Sequence, residues 1–289
     1  MKFEFEFRQQ KGIAIQSSGA LLAYRATDSL VVLASDNWHE FLGGPVRDLP
    51  LGRYMHDLVG TEIFHALRNA SAIPSIKTRH EYIGRFRVAD RELDCSTFQS
   101  GDCIVLEMTE VEPDPVPSAY DTLKDVLLFQ DRIKAAANEN AVFLNIVSLL
   151  RTISGYDYVA ACRYRENHSD IVASSGHSLS AFETFEVNSQ LHIVPNLDQK
   201  AIKVHALADV DQFDLSLSWL RWPPTPSLEK LRKIGASASM IQGIEQHDRI
   251  WGYFTFLHRT PRAPNHRTRL TLAHIQPLLR TKLQNCQKS

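Results

Sequence analysis

The side chains with the greatest potential for chemistry in this sequence are four cysteines and twelve histidines. The cysteines are far apart along the chain, and no two histidines have the i, i+4 spacing that places two metal ligands on one helix face. The sequence also contains no glycine-rich phosphate loop, no HExxH and no GxSxG motif. We therefore expect neither an enzyme nor a metal site. One alternative is that His39 and His56 ligate a haem.

Charge and hydropathy exclude two classes of partner. Lys and Arg number 32 and Asp and Glu number 33, so the chain has no general field for a polyanion and we expect no nucleic-acid partner. No apolar run approaches the roughly 20 residues that span a bilayer, so we expect no membrane contact. The N-terminus alternates charge with phenylalanine, unlike a signal peptide. These features favour a cytoplasmic protein with free thiols.

A proline-rich segment divides the chain. Residues 112–118 contain three prolines, which disfavour both helix and strand, and they follow a strongly apolar stretch. We predict a leader and first domain over residues 1–112, a linker over 113–120 and a second domain over 121–289.

The first domain is predicted to contain five strands and two helices. Ser35 is expected to cap the first helix, which Gly43 ends, and Thr61 is expected to cap the second. The predicted strands are the apolar or alternating segments at 20–24, 30–34, 80–89, 91–99 and 103–111. This order of two strands, helices and a three-strand meander resembles a PAS domain.

The second domain is predicted to begin with two helices and to end with one. Asn140 is expected to cap the second helix, and the last helix, from about His266 to Gln284, has an apolar stripe and an internal Pro277. The expected apolar face of the first helix is Leu123, Val126, Leu127, Ile133 and Ala137. Strands are predicted at 158–165, 170–174, 190–195, 237–244 and 249–258, and a short helix at 227–234. This order, with one long irregular insertion, resembles a GAF domain.

Local sequence motifs connect this order of elements to one family. The segments that resemble phytochrome motifs are Ile15-Gln-Ser-Ser-Gly-Ala-Leu-Leu22, Gly155-Tyr-Asp-Tyr-Val159, Asp214-Leu-Ser-Leu-Ser-Trp-Leu-Arg221, Ala238-Ser-Met240 and Ile250-Trp-Gly252. The chain therefore resembles the front half of a bacterial phytochrome, an α+β protein with tandem PAS and GAF domains. The resemblance also implies a figure-of-eight knot, in which the chain near Ile15 passes through a GAF loop at about residues 201–227.

Phytochromes bind a linear tetrapyrrole, a bilin, through a thioether to cysteine, and this chain lacks that cysteine at both positions known in the family. The bacterial position falls on Glu4, and the plant and cyanobacterial position falls within residues 225–228. A carboxylate cannot replace a thiolate in this addition. The family's P-x-S-D-I-P motif, expected between Ser175 and Ser189, is absent too. We therefore expect no cofactor, and the alternative is biliverdin or another tetrapyrrole bound noncovalently.

Most polar residues of the family's bilin pocket are also replaced. The resemblance places Ser227 where the family has a pocket histidine, and Leu257 where it has the histidine that faces ring D. His258 lies one step along the same strand, a step that turns a side chain to the other face. Cys162 replaces a ring-D tyrosine, and Ile241 replaces a propionate-binding serine.

Two pocket positions keep their polar residue. Arg221 matches an arginine that pairs with a bilin propionate, and Ser239 matches a serine near the other propionate. Each also has a structural interpretation, Arg221 in a local salt bridge and Ser239 as a strand hydroxyl. Cys162 is either a relocated attachment thiol or a buried, inert cysteine.

These replacements favour a regulatory module over a light sensor. We expect a phytochrome relative without a chromophore that acts in signalling through contact with an unknown protein. We also expect a homodimer formed through the helices of the second domain. The family's PHY and output domains have no counterpart among these residues, which favours the same interpretation.

Overall fold

The computed structural model describes residues 7–43, 48–77, 80–111, 119–165, 169–177, 191–207, 213–246 and 249–286. The strands in these ranges, numbered in chain order, are β1 Phe7–Gln16, β2 Gly19–Arg25, β3 Val31–Ser35, β4 Glu81–Val88, β5 Arg91–Ser100, β6 Cys103–Glu110, β7 Tyr158–Tyr164, β8 Ser169–Gly176, β9 Leu191–Val194, β10 Ala201–Leu207, β11 Ala238–Gln246 and β12 Arg249–His258. The helices are α1 Trp38–Leu42, α2 Met55–Ser71, α3 Ala119–Lys134, α4 Glu139–Ser154, α5 Thr225–Ile234 and α6 His266–Cys286. No helix within these ranges has both the length and the apolar character that crossing a membrane requires.

The first compact unit comprises residues 1–111 and 199–222. Its sheet has seven antiparallel strands in the order β1-β10-β3-β2-β6-β5-β4, and α1 and α2 pack against it. The five predicted strands are present. The chain is non-helical at Gly60 (φ 78°, ψ 168°) inside α2, so a second helical segment starts near Thr61, as predicted. Strands β1 and β10 were not predicted.

The structure differs from the predicted domain bounds at residues 199–222. We assigned these residues to the second domain, but they pack with the first unit because β10 pairs with both β1 and β3. Ile15 contacts both ends of this segment. It pairs with Ile202 near the start and forms an isolated β-bridge with Arg221 near the end. The predicted knot also depends on residues 1–6 and 208–212, which lie outside the described residues, so the knot stays a prediction.

Two helix caps differ from the sequence prediction. Ser35 ends β3, and its hydroxyl accepts a hydrogen bond from a backbone N–H of β2 instead of capping α1. The helix ends at Gly43 in the left-handed region (φ 62°), as predicted. The cap of α4 is Asn138 rather than Asn140, because its side chain accepts from the N–H of Ala141 at 3.0 Å.

The second compact unit comprises residues 112–198 and 223–289. Its five antiparallel strands have the order β8-β7-β12-β11-β9, and all five were predicted. Helix α4 packs on β7 and β8, and α6 packs on β11. The stripe of α6 is buried within this unit at Leu272, Ile275, Leu279 and Leu283. The helix continues through Pro277.

The buried face of α3 is not the predicted one. Leu123 and Leu127 are 55% and 51% exposed. The residues that α3 buries are Thr122, Asp125, Phe129 and Ile133. The prediction relied on the leucine spacing and left Asp125 outside, because the sequence alone does not indicate that this carboxylate has an arginine partner on α6.

Candidate functional site

Alternate residues of β7, β11 and β12 form one face of the second unit's sheet. Cross-strand pairing places Cys162 opposite Tyr253, and Leu257 opposite both Tyr158 and Ser239. Thr255 lies on the same face, two residues before Leu257. We call this group the inner sheet face; its members are Tyr158, Ala160 and Cys162 of β7, Ser239, Ile241 and Gly243 of β11, and Tyr253, Thr255 and Leu257 of β12.

The opposite face of the sheet packs on the helices. The rings of Phe143 on α4 and Phe254 on β12 lie 6.2 Å apart, and Tyr156 meets Phe256 edge-on at 5.7 Å. The inner sheet face is therefore the face that does not pack on α4.

Burial determines the chemistry of the Cys162 thiol. The side chain is 0% exposed, and this desolvation raises the pKa of Cys162 to about 12, although a hydrogen bond with Tyr253 opposes the shift. Burial also raises the pKa of Tyr158, against a hydrogen bond with Ser174. Both groups are protonated at neutral pH, so the thiol is not available as a nucleophile or thiolate ligand.

The inner sheet face is uncharged and mixes polar with apolar groups. Five of its nine members carry a hydroxyl or thiol, and none has a formal charge at pH 7. The Thr255 hydroxyl is fully buried and has no hydrogen-bond partner in the part of the chain that the structure describes. Our sequence analysis did not single out Tyr253 or Thr255, although the two-residue period of a strand places both on the face of Leu257.

The structure places Cys162 and Ser239 at different points of this face and turns His258 away from it. His258 points to the opposite face, where its Nδ1 lies 3.6 Å from the Asp157 carboxylate and its ring meets Tyr156 edge-on. Ser227 lies in the first turn of α5, half-buried.

Arg221, the remaining candidate, belongs to the first unit. It is half-buried, and desolvation lowers the pKa of its guanidinium, while the charge of Asp214 raises it. Its backbone carbonyl accepts a hydrogen bond from the Gln16 amide at 3.0 Å. A propionate site that combines Arg221 with Ser239 would draw on both units and stays a prediction.

The described residues include no group of three or more His, Cys, Asp or Glu side chains that could hold a metal ion. His56, one of the two haem candidates, lies 3.2 Å from Asp57, and its ring is 5.5 Å from Tyr54 and 5.6 Å from Phe64. The haem interpretation gains no support from these contacts.

Comparison with known proteins identifies the class of this fold. A family model described as a PAS fold matches residues 7–113. Among solved structures, the chromophore-binding domain of Stigmatella aurantiaca bacteriophytochrome in the Pr state has a TM-score of 0.80 at 19% identity, over 96% of this chain and 98% of that one. The photosensory core module of the Stigmatella phytochrome has a TM-score of 0.81 at 18% identity, over 100% of this chain and 62% of that one. The fold is therefore that of tandem PAS and GAF domains.

Curated relatives point to the same group of proteins. The chain is 24% identical to the bacteriophytochrome of Pseudomonas aeruginosa and 22% identical to cyanobacterial phytochrome B of Nostoc. Each match covers 86% of this chain and 36% of the relative, so the chain spans about a third of those proteins. In sequence and in fold the chain is therefore similar to the PAS–GAF part of phytochromes.

Proposed function

We propose that this protein is a phytochrome-related regulatory module that carries no covalently attached bilin and signals by contact with other proteins. The observation that carries the proposal is the closure of the inner sheet face. Cys162, Thr255 and Leu257 are 0% exposed, and Ser239 is 1% exposed. A bilin against this face would require a cavity there, and side chains that line a cavity large enough for water would be exposed to it.

The chemistry of the face supports the same proposal. Thioether formation requires a thiolate, and burial keeps the Cys162 thiol protonated. The two attachment positions of the family fall on Glu4 and on residues 225–228, and neither has a cysteine. The inner sheet face also offers no cation to a bilin propionate, and a buried carboxylate without a partner is costly.

The alternative function is a sensor that holds biliverdin or another tetrapyrrole noncovalently. It is favoured by Arg221 and Ser239, which match the two propionate positions of the family, and by the names of the relatives. To separate the two functions, the protein is purified with excess biliverdin and desalted. Its visible spectrum is then recorded before and after red light.

A colourless protein supports our proposal, and a retained far-red band that responds to light contradicts it. If a band is retained, Arg221→Gln tests whether the arginine holds a propionate. The matched control is Arg232→Gln, an exposed arginine in the last turn of α5. Loss of the band in the first variant alone would establish the alternative.

We also propose that the module forms a homodimer through α3 and α4. These helices expose an apolar group, the leucine surface, that consists of Leu123, Leu127, Leu128 and Leu144 at 43–56% exposure. The α3 and α4 parts of the leucine surface lie next to each other, because the Asn145 amide of α4 donates to the carbonyl of Arg132 at the end of α3. Large exposed apolar groups of this kind mark interaction surfaces.

The charges around the leucine surface suit a second copy of the chain. Lys124 and Asp131 lie on the exposed side of α3, on either side of Leu127 and Leu128. If two copies of α3 pack antiparallel and their centre of contact lies between Leu127 and Leu128, Lys124 of each copy faces Asp131 of the other. A two-fold contact requires this kind of self-complementarity.

Light scattering after gel filtration tests the dimer. We expect wild type to have twice the monomer mass, and Leu127→Glu to be monomeric because it places two carboxylates at the centre of the contact. The control is Arg232→Glu, an exposed position on α5 and so outside the two helices of the contact, which should stay dimeric. A wild-type monomer at all concentrations, or a Leu127→Glu dimer, would refute this interface.

A further inference from the structure

The first unit contains a buried carboxylate that none of the functions above uses. Glu107 on β6 is 1% exposed, and His80 donates to it across 2.6 Å. The hydroxyl of Ser218 donates to the other carboxylate oxygen, and the backbone N–H groups of Trp219 and Leu220 approach at 3.2 and 3.4 Å. Three of the four donors therefore come from one short segment near the end of residues 199–222.

We call residues 218–221 the strap. Its carbonyl groups are bound by Gln16, whose side-chain amide donates to Trp219 at 3.3 Å and to Arg221 at 3.0 Å. The backbone N–H of Gln16 donates to the carbonyl of Leu220 at 2.7 Å. The ring of Trp219 stacks on His80 with 3.6 Å between centroids. Side chains of the first unit therefore contact the strap on both of its backbone edges.

The two ends of residues 199–222 are attached in different ways. Strand β10 pairs over several residues with β1 on one side and with β3 on the other. The strap is outside the named strands and makes one isolated bridge, between Arg221 and Ile15. Segments held by few ladder bonds open at a lower free energy than central strands. The strap can therefore detach while β10 stays in the sheet.

The charge of Glu107 makes attachment of the strap the favoured state. A buried carboxylate is tolerated only when hydrogen bonds and opposite charge compensate it. If the strap left, Glu107 would keep His80 and lose the three donors from Ser218, Trp219 and Leu220. The folded unit with a charged Glu107 therefore favours the attached strap strongly.

We propose that Glu107 is a clasp for the strap, and that removal of its charge releases residues 218–221 while β10 remains paired. Arg221 moves with the strap, so Glu107 is a positioning residue for the one arginine that matches a propionate ligand of the family. The proposal does not depend on whether a tetrapyrrole binds, because it concerns contacts within the first unit.

Hydrogen–deuterium exchange of the whole chain tests the clasp. In Glu107→Gln, the side chain keeps its size but presents an NH₂ group to donors that need an acceptor. We expect amide exchange at Trp219 and Leu220 to rise by roughly tenfold or more, with no change in residues 201–207. The matched control is Glu110→Gln, an exposed carboxylate on the same strand that pairs with Arg91, which should leave both segments unchanged.

Two results would overturn the proposal: unchanged exchange at Trp219 and Leu220, or an equal rise across residues 201–207. Ser218→Ala decides the matter if Glu107→Gln fails to fold, because it removes one donor and keeps the carboxylate. It should raise exchange in the strap several-fold and leave β10 protected. Unchanged strap exchange in Ser218→Ala would also reject the clasp.

Discussion

Asp125 of α3 and Arg267 of α6 form a bidentate ion pair inside the second unit. The guanidinium Nε lies 2.6 Å from Oδ2 and Nη2 lies 2.7 Å from Oδ1, and the Asp125 side chain is 3% exposed. The hydrogen bond with Asp125 raises the pKa of Arg267. This pair explains why α3 turns a carboxylate inward and leaves its three leucines outside.

Asp125→Asn should lower the free energy of unfolding of the chain. Removing one partner of a fully buried pair costs about 3–5 kcal/mol, and because Arg267 keeps contact with water we expect about 2 kcal/mol. Urea unfolding followed by circular dichroism measures the change. The control is Glu229→Gln, an exposed carboxylate on α5, which should shift the free energy by less than about 0.5 kcal/mol. Equal effects in the two variants would show that the ion pair is not responsible.

The thiol of Cys162 should make stability depend on pH in alkaline solution. Burial raises its pKa to about 12 in the folded chain, from an ordinary value of 9.0, so the folded state favours the protonated form. The contribution of Cys162 is therefore complete below about pH 9 and is lost as the pH rises towards 12. Within this window the loss is about 1.4 kcal/mol for each pH unit.

Urea midpoints of wild type and Cys162→Ala, measured between pH 8 and pH 10.5, check this dependence. The variant should lose stability less steeply with pH, whatever its stability at pH 8. Cys286→Ala is the control, since Cys286 is only half-buried, and it should keep the wild-type slope. If the urea midpoints of wild type and Cys162→Ala fall equally steeply with pH, the folded state does not raise the pKa of the Cys162 thiol.

Thr255→Val should be neutral or stabilising, by up to about 1 kcal/mol. The Thr255 hydroxyl is buried without a hydrogen-bond partner among the described residues, and valine has the same shape without the polar group. Thr271→Val is the control: that hydroxyl lies 3.5 Å from the Asp125 carboxylate, and its loss should destabilise the chain. Thermal unfolding measures both. A loss above about 1 kcal/mol in Thr255→Val would reveal a partner for the hydroxyl, such as a bound ligand.

Much of the fold could be predicted because its signals are local. The strands of the second unit have apolar runs or alternation within a few residues, and all five were predicted. Strands β1 and β10 were missed for the opposite reason. Strand β1 includes a polar run, and β10 lies in what the pattern indicates is an irregular insertion. Strand β1 forms by pairing with β10, about 190 residues away in the chain, and β10 forms by pairing with β1 on one side and β3 on the other.

The candidate site, too, could be predicted from the sequence only in part. The resemblance placed Cys162, Leu257 and Ser239 at pocket positions, and the strand period then predicts that His258 turns away, as it does. The sequence could not indicate that the face would be closed, because burial depends on how distant segments pack. The sequence also could not indicate that Arg221 lies in the first unit, because this placement depends on the pairing of β10 and on the contacts with Gln16.

The sequence by itself determined most of the elements in their order, the resemblance to phytochromes and the lack of a cysteine at Glu4 and within residues 225–228, because motifs and residue types can be seen along the chain. Only the tertiary structure decided which polar groups are buried together. Asp125 with Arg267, Glu107 with the strap, and Cys162 with Tyr253 are each joined across long stretches of sequence. A buried polar group persists where its partners compensate its lost hydration, and the fold supplies those partners.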